Sequence, residues 1–101
     1  CGDTRTRFTI QSISKLASLI LAISDKGSDY LFHDKVGVEP TGDPFNSIVK
    51  LETKTKPFNP FINAGAITVA DCIEGNSSEE KFERFLSFVR KLCGDEEIFA
   101  Q

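Results

Sequence analysis

The sequence predicts a mixed α/β fold that is rich in helix and has an incomplete sheet. Three segments repeat apolar residues at helical spacing: residues 12 to 26, residues 61 to 74, and the segment between Ser77 and Gly94. Residues 3 to 10 instead alternate along the chain and are rich in threonine, which is typical of a β-strand. We therefore expect helices to outweigh strands.

Length and composition limit the chain to one ordinary globular domain. It has 101 residues, of which 40% are hydrophobic and 27% charged, and its net charge is −3. Basic and acidic residues are interspersed, which argues against nucleic-acid binding and against docking on an anionic membrane. The longest apolar run, residues 19 to 23, is far shorter than the ~20 residues that cross a bilayer.

The three cysteines, Cys1, Cys72 and Cys93, are widely spaced and form no Cys-x-x-Cys pair. With His33 as the single histidine, the sequence offers no zinc set, and we expect neither a metal nor another cofactor. Cys72 and Cys93 lie in apolar, helix-like stretches, so we expect buried, reduced thiols in a cytoplasmic protein. Because the chain starts at Cys1 and not at Met, we expect its natural beginning to lie upstream.

The first predicted elements are a strand at residues 3 to 10 and a helix at residues 12 to 26, which ends at Gly27. The apolar stripe of this helix consists of Leu16, Leu19, Ile20 and Ile23. Its other faces are apolar too, and such a helix is usually buried. A polar Ser12 and a charged Lys15 at the head of a buried helix therefore need a specific explanation.

A long irregular region from about residue 34 to residue 60 follows and contains all four prolines. Segments of this kind in compact domains are often functional. Residues 30 to 33 and 47 to 51 could add short strands to the sheet. Pro60 is expected to open the next helix and Gly75 to end it.

The last helix carries the clearest signals. Ser77 and Glu80 match a capping box at its start, and Gly94 follows its end. Its apolar stripe consists of Phe82, Phe85, Leu86, Val89 and Cys93. This pattern predicts an amphipathic helix that packs along one face.

The motif Ser-x-x-Lys, a known catalytic signature, occurs three times: Ser12/Lys15, Ser47/Lys50 and Ser78/Lys81. The third pair lies at the polar start of an amphipathic helix, which favours a solvated face. The second pair lies beside the proline-rich region, with no helix to align it. Only the first pair lies where a strand passes into a buried helix, and it is the best catalytic candidate.

Residues three apart on a helix share a face, so the Lys15 amine can reach the Ser12 hydroxyl. A lysine that loses solvent also loses its proton more readily and can act as a base. A serine at a helix N-terminus has free backbone N–H groups nearby that can stabilise an oxyanion. The alternative is structural: Ser12 is a helix N-cap, and Lys15 extends its charged end to solvent.

Three stretches of the chain carry distinctive sequences, in order: FTIQSISK at residues 8–15, VGVEPTGDPFNS at residues 36–47 and KPFNPFINAGAI at residues 56–67. They resemble the nucleophile segment, the central loop and the Asn-Ala-Gly-Ala segment of the serine-dependent glutaminases, the bacterial-type family. The final helix continues the likeness more loosely, so the resemblance covers nearly the whole chain.

This resemblance implies hydrolysis of L-glutamine to L-glutamate and ammonia on a serine β-lactamase-like fold. By match of motif, Ser12 is the nucleophile and contacts substrate, Lys15 is the base, and Asn63 binds substrate. Considered without the resemblance, Asn63 is more often a local helix cap. The family's further substrate contacts lie outside this segment. Residues 1–101 are therefore expected to be a partial glutaminase domain that lacks N- and C-terminal parts and belongs to a homo-oligomeric enzyme.

Two rival interpretations remain. One is another Ser-x-x-Lys acyl hydrolase of the β-lactamase and penicillin-binding class, although no Ser-x-Asn-like or Lys-Thr-Gly-like element is present. The other is an inactive fragment whose exposed apolar helix faces serve as a packing or interaction surface. On the glutaminase interpretation we expect residues 1–101, expressed alone, to be inactive and poorly folded, because most strands of a β-lactamase-type sheet would lie outside this chain.

Overall fold

The computed structural model describes residues 2–40 and 56–100, and all regular secondary structure within those ranges is helical. A 3₁₀ turn at Gln11–Ile13 leads into the first helix. The helices are α1 (Ser14–Lys26), α2 (Ser28–Tyr30, continued by a π-helical turn at Leu31–Lys35), α3 (Asn63–Asp71) and α4 (Ser78–Cys93). The helix-rich part of the prediction is thus confirmed.

The predicted strand at residues 3 to 10 is wrong for this structure, and no strand occurs in the described ranges. Residues 2–10 are all exposed. Within residues 2–40 and 56–100 no second strand is present to form hydrogen bonds with them. The Asp3 carboxylate also accepts the backbone N–H groups of Arg5 and Thr6, at 2.9 and 3.1 Å, which bends the chain locally.

The two shorter strand predictions fare differently. Residues 30 to 33 are helical, because they lie across the end of α2 and its π-helical continuation. The prediction for residues 47 to 51 lies outside the described residues.

The first predicted helix, at residues 12 to 26, is confirmed. Its first turn is 3₁₀ and the remainder is α1. Gly27 ends it as expected, with φ of 87° and its N–H donating to the Ile23 carbonyl at 2.8 Å.

Helix α3 is shorter than the predicted span of residues 61 to 74. Ile62 has an extended backbone, with φ of −72° and ψ of 155°, which interrupts the helical path, so α3 begins at Asn63 and not at residue 61. At the other end the N–H of Ile73 donates to the Ala70 carbonyl, at 3.3 Å, which tightens the final turn. The helix therefore stops at Asp71, and Gly75 is not its terminator.

Helix α4 begins and ends as predicted. The Ser77 hydroxyl accepts the N–H of Glu80 at 3.1 Å, and Gly94 adopts the left-handed conformation with φ of 63°. The Glu80 carboxylate accepts the N–H of Asn76, one residue before the position that a capping box uses.

The core lies between α1, α3 and the residues that follow α2. Its buried side chains are Leu19, Leu21, Ala22, Leu31, Val36, Val69, Cys72 and Ile73. Phe85 and Phe88 of α4 pack against this cluster and are partly buried. Helix α1 thus supplies the central face against which the other helices pack.

Two burial predictions need correction. Helix α1 is not buried all round, because Leu16 and Ile20 remain 52% and 41% exposed. Of the two thiols expected inside, Cys72 is buried but Cys93 is exposed, since the α4 stripe packs through its middle and leaves its last turn in solvent. Phe82, in the first turns of α4, is exposed for the same reason.

No helix in the described part of the chain has the length and apolarity to cross a bilayer.

Candidate active site

Ser12 lies in the middle of the 3₁₀ turn that opens the first helix, and it is exposed. Gln11, immediately before it, has φ of 45°, which places a non-glycine residue in the left-handed region. Such a conformation costs about 1–2 kcal/mol and is enriched at functional sites. The backbone therefore turns sharply before it presents Ser12 at the head of the helix.

Lys15 lies three residues later, in the first turn of α1, and it is half-buried. Its Nζ donates to the backbone carbonyl of Phe61 at 2.9 Å and to Oδ1 of Asn63 at 2.7 Å. These two contacts reach 46 and 48 residues along the sequence. The side chain is thus held against the start of α3 and does not simply extend into solvent.

Asn63 is the first residue of α3. The cap position belongs to Ile62, and the Asn63 side-chain oxygen accepts from Lys15 instead of serving as a local cap. The structure therefore brings Lys15 and Asn63 into direct contact. Ser12 lies on the adjacent turn at the same end of the first helix.

The loop before α3 is shaped by a residue that the sequence interpretation did not single out. Oδ1 of Asn59 accepts the N–H groups of Phe61 and Ile62, at 3.0 and 3.1 Å. Its Nδ2 donates to the Glu39 carbonyl at 2.9 Å. An Asn-Pro dipeptide is a recognised turn signal, so the sequence did contain the clue.

Residues 37 to 39 support this loop through two backbone hydrogen bonds. The N–H of Gly37 donates to the Pro57 carbonyl at 2.7 Å, and the N–H of Glu39 donates to the Phe58 carbonyl at 2.9 Å. The backbone of Glu39 thus braces the loop, while its side chain is exposed.

Close packing on α3 also fixes the loop. A Cβ atom on Gly65 would lie 1.8 Å from the Asn59 carbonyl oxygen, a separation that no side chain can occupy. Helix and loop backbones meet here, so glycine is required at this position.

The other candidate pairs do not form a comparable site. Lys81 donates to the backbone carbonyl of Asp71 and to its carboxylate, at 2.6 and 3.2 Å, and Ser78 is exposed. Ser47 and Lys50 lie outside the described residues. His33 is exposed.

A polar cleft of about 520 Å³ lies at the opposite end of α1 from Ser12, roughly 20 Å away along a helix of 13 residues. Arg84 donates two hydrogen bonds to the Asp25 carboxylate there, one of them at 2.8 Å. These bonds lower the pKa of Asp25; partial burial opposes the shift, and the N–H of Glu74 adds to it. The cleft is lined by an ion-pair network that joins α1 to α4.

Metal ligands are not grouped in residues 2–40 and 56–100. No set of three or more His, Cys, Asp and Glu side chains is placed there to hold an ion.

Comparison of the sequence with known families matches the model named Glutaminase over residues 1–101. The glutaminase of Fusobacterium nucleatum is 58% identical over 99 residues, which cover 96% of this chain and 32% of that protein. Glutaminase 2 of Clostridium perfringens is 59% identical over the same shares of the two chains.

Solved structures that resemble this chain are also glutaminases. A Bacillus glutaminase crystallised in the presence of 4.3 M NaCl superposes with a TM-score of 0.84 at 48% identity, covering 92% of this chain and 31% of that one. A probable glutaminase, ybaS, superposes with a TM-score of 0.88 at 38% identity, covering all of this chain and 32% of that one. The chain thus spans about a third of the length of the relatives it matches.

Proposed function

Because this chain belongs to the glutaminase family, we propose that it forms the nucleophile-bearing part of an enzyme that hydrolyses L-glutamine to L-glutamate and ammonia. The observation that carries the proposal is the pair of contacts from Lys15 to Phe61 and Asn63, at the same helix end as Ser12. These contacts support the proposal because they hold the half-buried amine and amide together beside the turn that carries the exposed Ser12 hydroxyl.

The Lys15 contacts support its role as the base. Donation to the Phe61 carbonyl and to Asn63 Oδ1 fixes the position of the amine nitrogen. Ser12 Oγ then attacks the side-chain amide carbon of glutamine while Lys15 Nζ takes the hydroxyl proton. Lys15 returns a proton to the leaving nitrogen, and ammonia departs. Water hydrolyses the glutamyl ester on Ser12, which releases glutamate and restores the hydroxyl.

The remaining charges of the reaction also have candidate partners. The N–H of Ser12, at the start of the first helix, is one donor for the oxyanion of the tetrahedral intermediate. Asn63 directs its Oδ1 to Lys15, and its Nδ2 carries donors suited to the α-carboxylate of glutamine. A second oxyanion donor and further substrate contacts belong to parts of the enzyme beyond this segment.

We further propose that the whole enzyme has a mixed α/β fold of the serine β-lactamase type, of which residues 1–101 form part of one domain. Exposed apolar side chains along one side of the first helix support this, because a sheet would cover them: Ile13, Leu16 and Ile20. A homo-oligomer in the cytoplasm is proposed as its working state. Burial raises the pKa of the Cys72 thiol, which makes this cysteine less reactive.

The test is a chimera in which this chain replaces the matching third of the Fusobacterium nucleatum relative. Ammonia release from L-glutamine is measured beside hydrolysis of nitrocefin, a β-lactam. We expect turnover of glutamine and none of nitrocefin. The opposite result in a folded chimera would favour the β-lactamase-type rival, and loss of both activities would favour an interaction module.

The isolated chain provides a second arm. We expect residues 1–101 alone to show neither turnover nor a cooperative thermal transition by circular dichroism. Leu16 and Ile20 of α1 are about half exposed, so each forgoes roughly half of the ~1.5–3 kcal/mol that full burial gives, and a domain has only ~5–15 kcal/mol of stability. A sharp transition in a monomer would disprove this expectation.

A further inference from the structure

We propose that Asn59 is a positioning residue for Lys15. Its side-chain amide fixes the turn that carries the Phe61 carbonyl to the lysine amine. This inference rests on the proposed function, because it assigns a role in the same Ser12–Lys15 chemistry.

Both the oxygen and the nitrogen of the Asn59 side-chain amide form hydrogen bonds. Oδ1 accepts two successive backbone N–H groups, those of Phe61 and Ile62, and Nδ2 donates to the Glu39 carbonyl. A side-chain amide bound at both its oxygen and its nitrogen cannot rotate without breaking hydrogen bonds. The turn is therefore held in one orientation relative to the segment around Glu39.

The connection from Asn59 to Lys15 passes through a single residue. The N–H of Phe61 is held by Asn59, and the carbonyl of Phe61 accepts from Lys15 Nζ at 2.9 Å. The other acceptor, Asn63, directly follows Ile62, whose N–H Asn59 also holds. Both acceptors of the lysine amine thus depend on the turn that Asn59 organises.

The surrounding backbone restrains Asn59 itself. The α3 helix approaches so closely at Gly65 that the Asn59 carbonyl has no room to move toward it. On the far side, a Cβ on Gly37 would lie 2.5 Å from the Phe58 carbonyl oxygen, so this contact is also tight. Asn59 is half-buried, and these two close backbone contacts restrict its movement. Because Asn59 holds the N–H of Phe61, the position of Phe61 is restricted as well.

Substitutions of Asn59 separate positioning from general stability. Asn59→Ala removes the acceptor and the donor, and we expect kcat to fall about tenfold to a hundredfold, as for a displacement of a catalytic group by about 1 Å. KM should change by a smaller factor than kcat, because Asn59 itself does not contact glutamine and acts on Asn63 only through the turn. Asn59→Asp keeps the acceptor for both N–H groups but loses the donor to the Glu39 carbonyl, so its kcat should lie between those of Asn59→Ala and the parent.

The matched control is Asn76→Ala, which changes an exposed loop asparagine near the other end of α1. We expect it to leave kcat and KM unchanged. All rates are expressed per folded molecule, with the folded fraction taken from the thermal transition of the chimera. An unchanged kcat in Asn59→Ala, a rise in KM alone, or an Asn59→Asp variant as slow as Asn59→Ala would each overturn the proposal.

A crystal structure of the Asn59→Ala chimera gives a readout that needs no turnover. We expect the distance from Lys15 Nζ to the Phe61 oxygen to exceed the hydrogen-bond limit of about 3.5 Å. A distance that stays at 2.9 Å would refute the positioning role. If the unsubstituted chimera does not hydrolyse glutamine, the proposed function fails, while this structural result is still decided on its own.

Discussion

The two ends of helix α1 use charged side chains in different ways. At its start, the Lys15 amine donates to two neutral oxygens, the Phe61 carbonyl and the Asn63 amide. At its end, the Asp25 carboxylate receives two hydrogen bonds from the Arg84 guanidinium and is nearly buried, with 7% of its side chain exposed. The first arrangement orients an amine, and the second fastens one helix to another.

This difference separates function from stability within a single helix. In the proposed mechanism, contacts to neutral acceptors set the direction of a nitrogen that gains and loses a proton. A bidentate pair with a guanidinium fixes two charges that need never change. Substitutions at the start of α1 should therefore alter activity, and substitutions at its end should alter the thermal transition.

The largest expected effect is that of Ser12→Ala. Removing the nucleophile should lower glutamine hydrolysis by the chimera by a factor on the order of 10⁴ to 10⁶. Tm should be nearly unchanged, because Ser12 is exposed. Ser47→Ala and Ser78→Ala are the matched controls and should keep most activity. Substantial turnover in Ser12→Ala would show that the nucleophile lies elsewhere.

Lys15→Arg should be nearly as damaging as Lys15→Ala, with a loss of about 10²- to 10⁴-fold in kcat. Arginine keeps the positive charge, but its guanidinium does not give up a proton at any working pH. Steady-state kinetics of the two variants decide the matter. An active Lys15→Arg enzyme would mean that the charge alone is needed.

Asp25→Asn should lower the stability of the protein and leave its activity unchanged, the reverse of the effects expected at Ser12 and Lys15. We expect it to lower Tm by several degrees, because Arg84 loses its charged partner while kcat per folded molecule stays the same. Asp71→Asn is the control: its carboxylate pairs with Lys81 but is 86% exposed, and such pairs contribute ~0–1 kcal/mol. Equal effects of the two substitutions on Tm would contradict the structural role of the buried pair.

The same pair predicts part of the acid sensitivity. Since the folded state lowers the pKa of Asp25, its ionised form stabilises the fold above the ordinary aspartate value, and this contribution is lost as pH falls through the lowered value. Asp25→Asn should therefore flatten the fall of Tm with decreasing pH. Thermal scans from neutral to strongly acidic pH test this, and parallel curves for parent and variant would count against it.

The smallest expected effect is that of Ser77→Ala, which removes the cap of α4. It should lower the free energy of unfolding by about 1 kcal/mol without changing activity. Ser78→Ala, one residue later, serves as the control, since the Ser77 hydroxyl is the one that accepts the Glu80 N–H. Urea unfolding of the three proteins gives the comparison.

The sequence predicted best what is local. Helix α4 follows from Ser77, Gly94 and a regular apolar stripe, and the end of α1 follows from Gly27, because caps and periodicity act within a few residues. The strand at residues 3 to 10 failed because alternation does not create a partner strand. The exposed state of Leu16 and Cys93 was missed because burial depends on which faces meet.

In the candidate site, too, local features could be predicted from the sequence and long-range contacts could not. Spacing alone placed Ser12 and Lys15 on one face of a helix. The contact from Lys15 to Asn63 spans 48 residues, and only the family resemblance brought Asn63 into consideration. Asn59 was quoted within that motif but given no role, because its part depends on where Glu39 and Phe61 lie in space.

The most direct test of the account is to locate the covalent intermediate. The chimera is mixed with isotopically labelled L-glutamine, quenched in acid within the first turnover, and digested for peptide mapping by mass spectrometry. The account predicts a labelled glutamyl group on Ser12, and none on Ser47 or Ser78. A label on another residue, or rapid turnover with no covalent label in the chain, would contradict it.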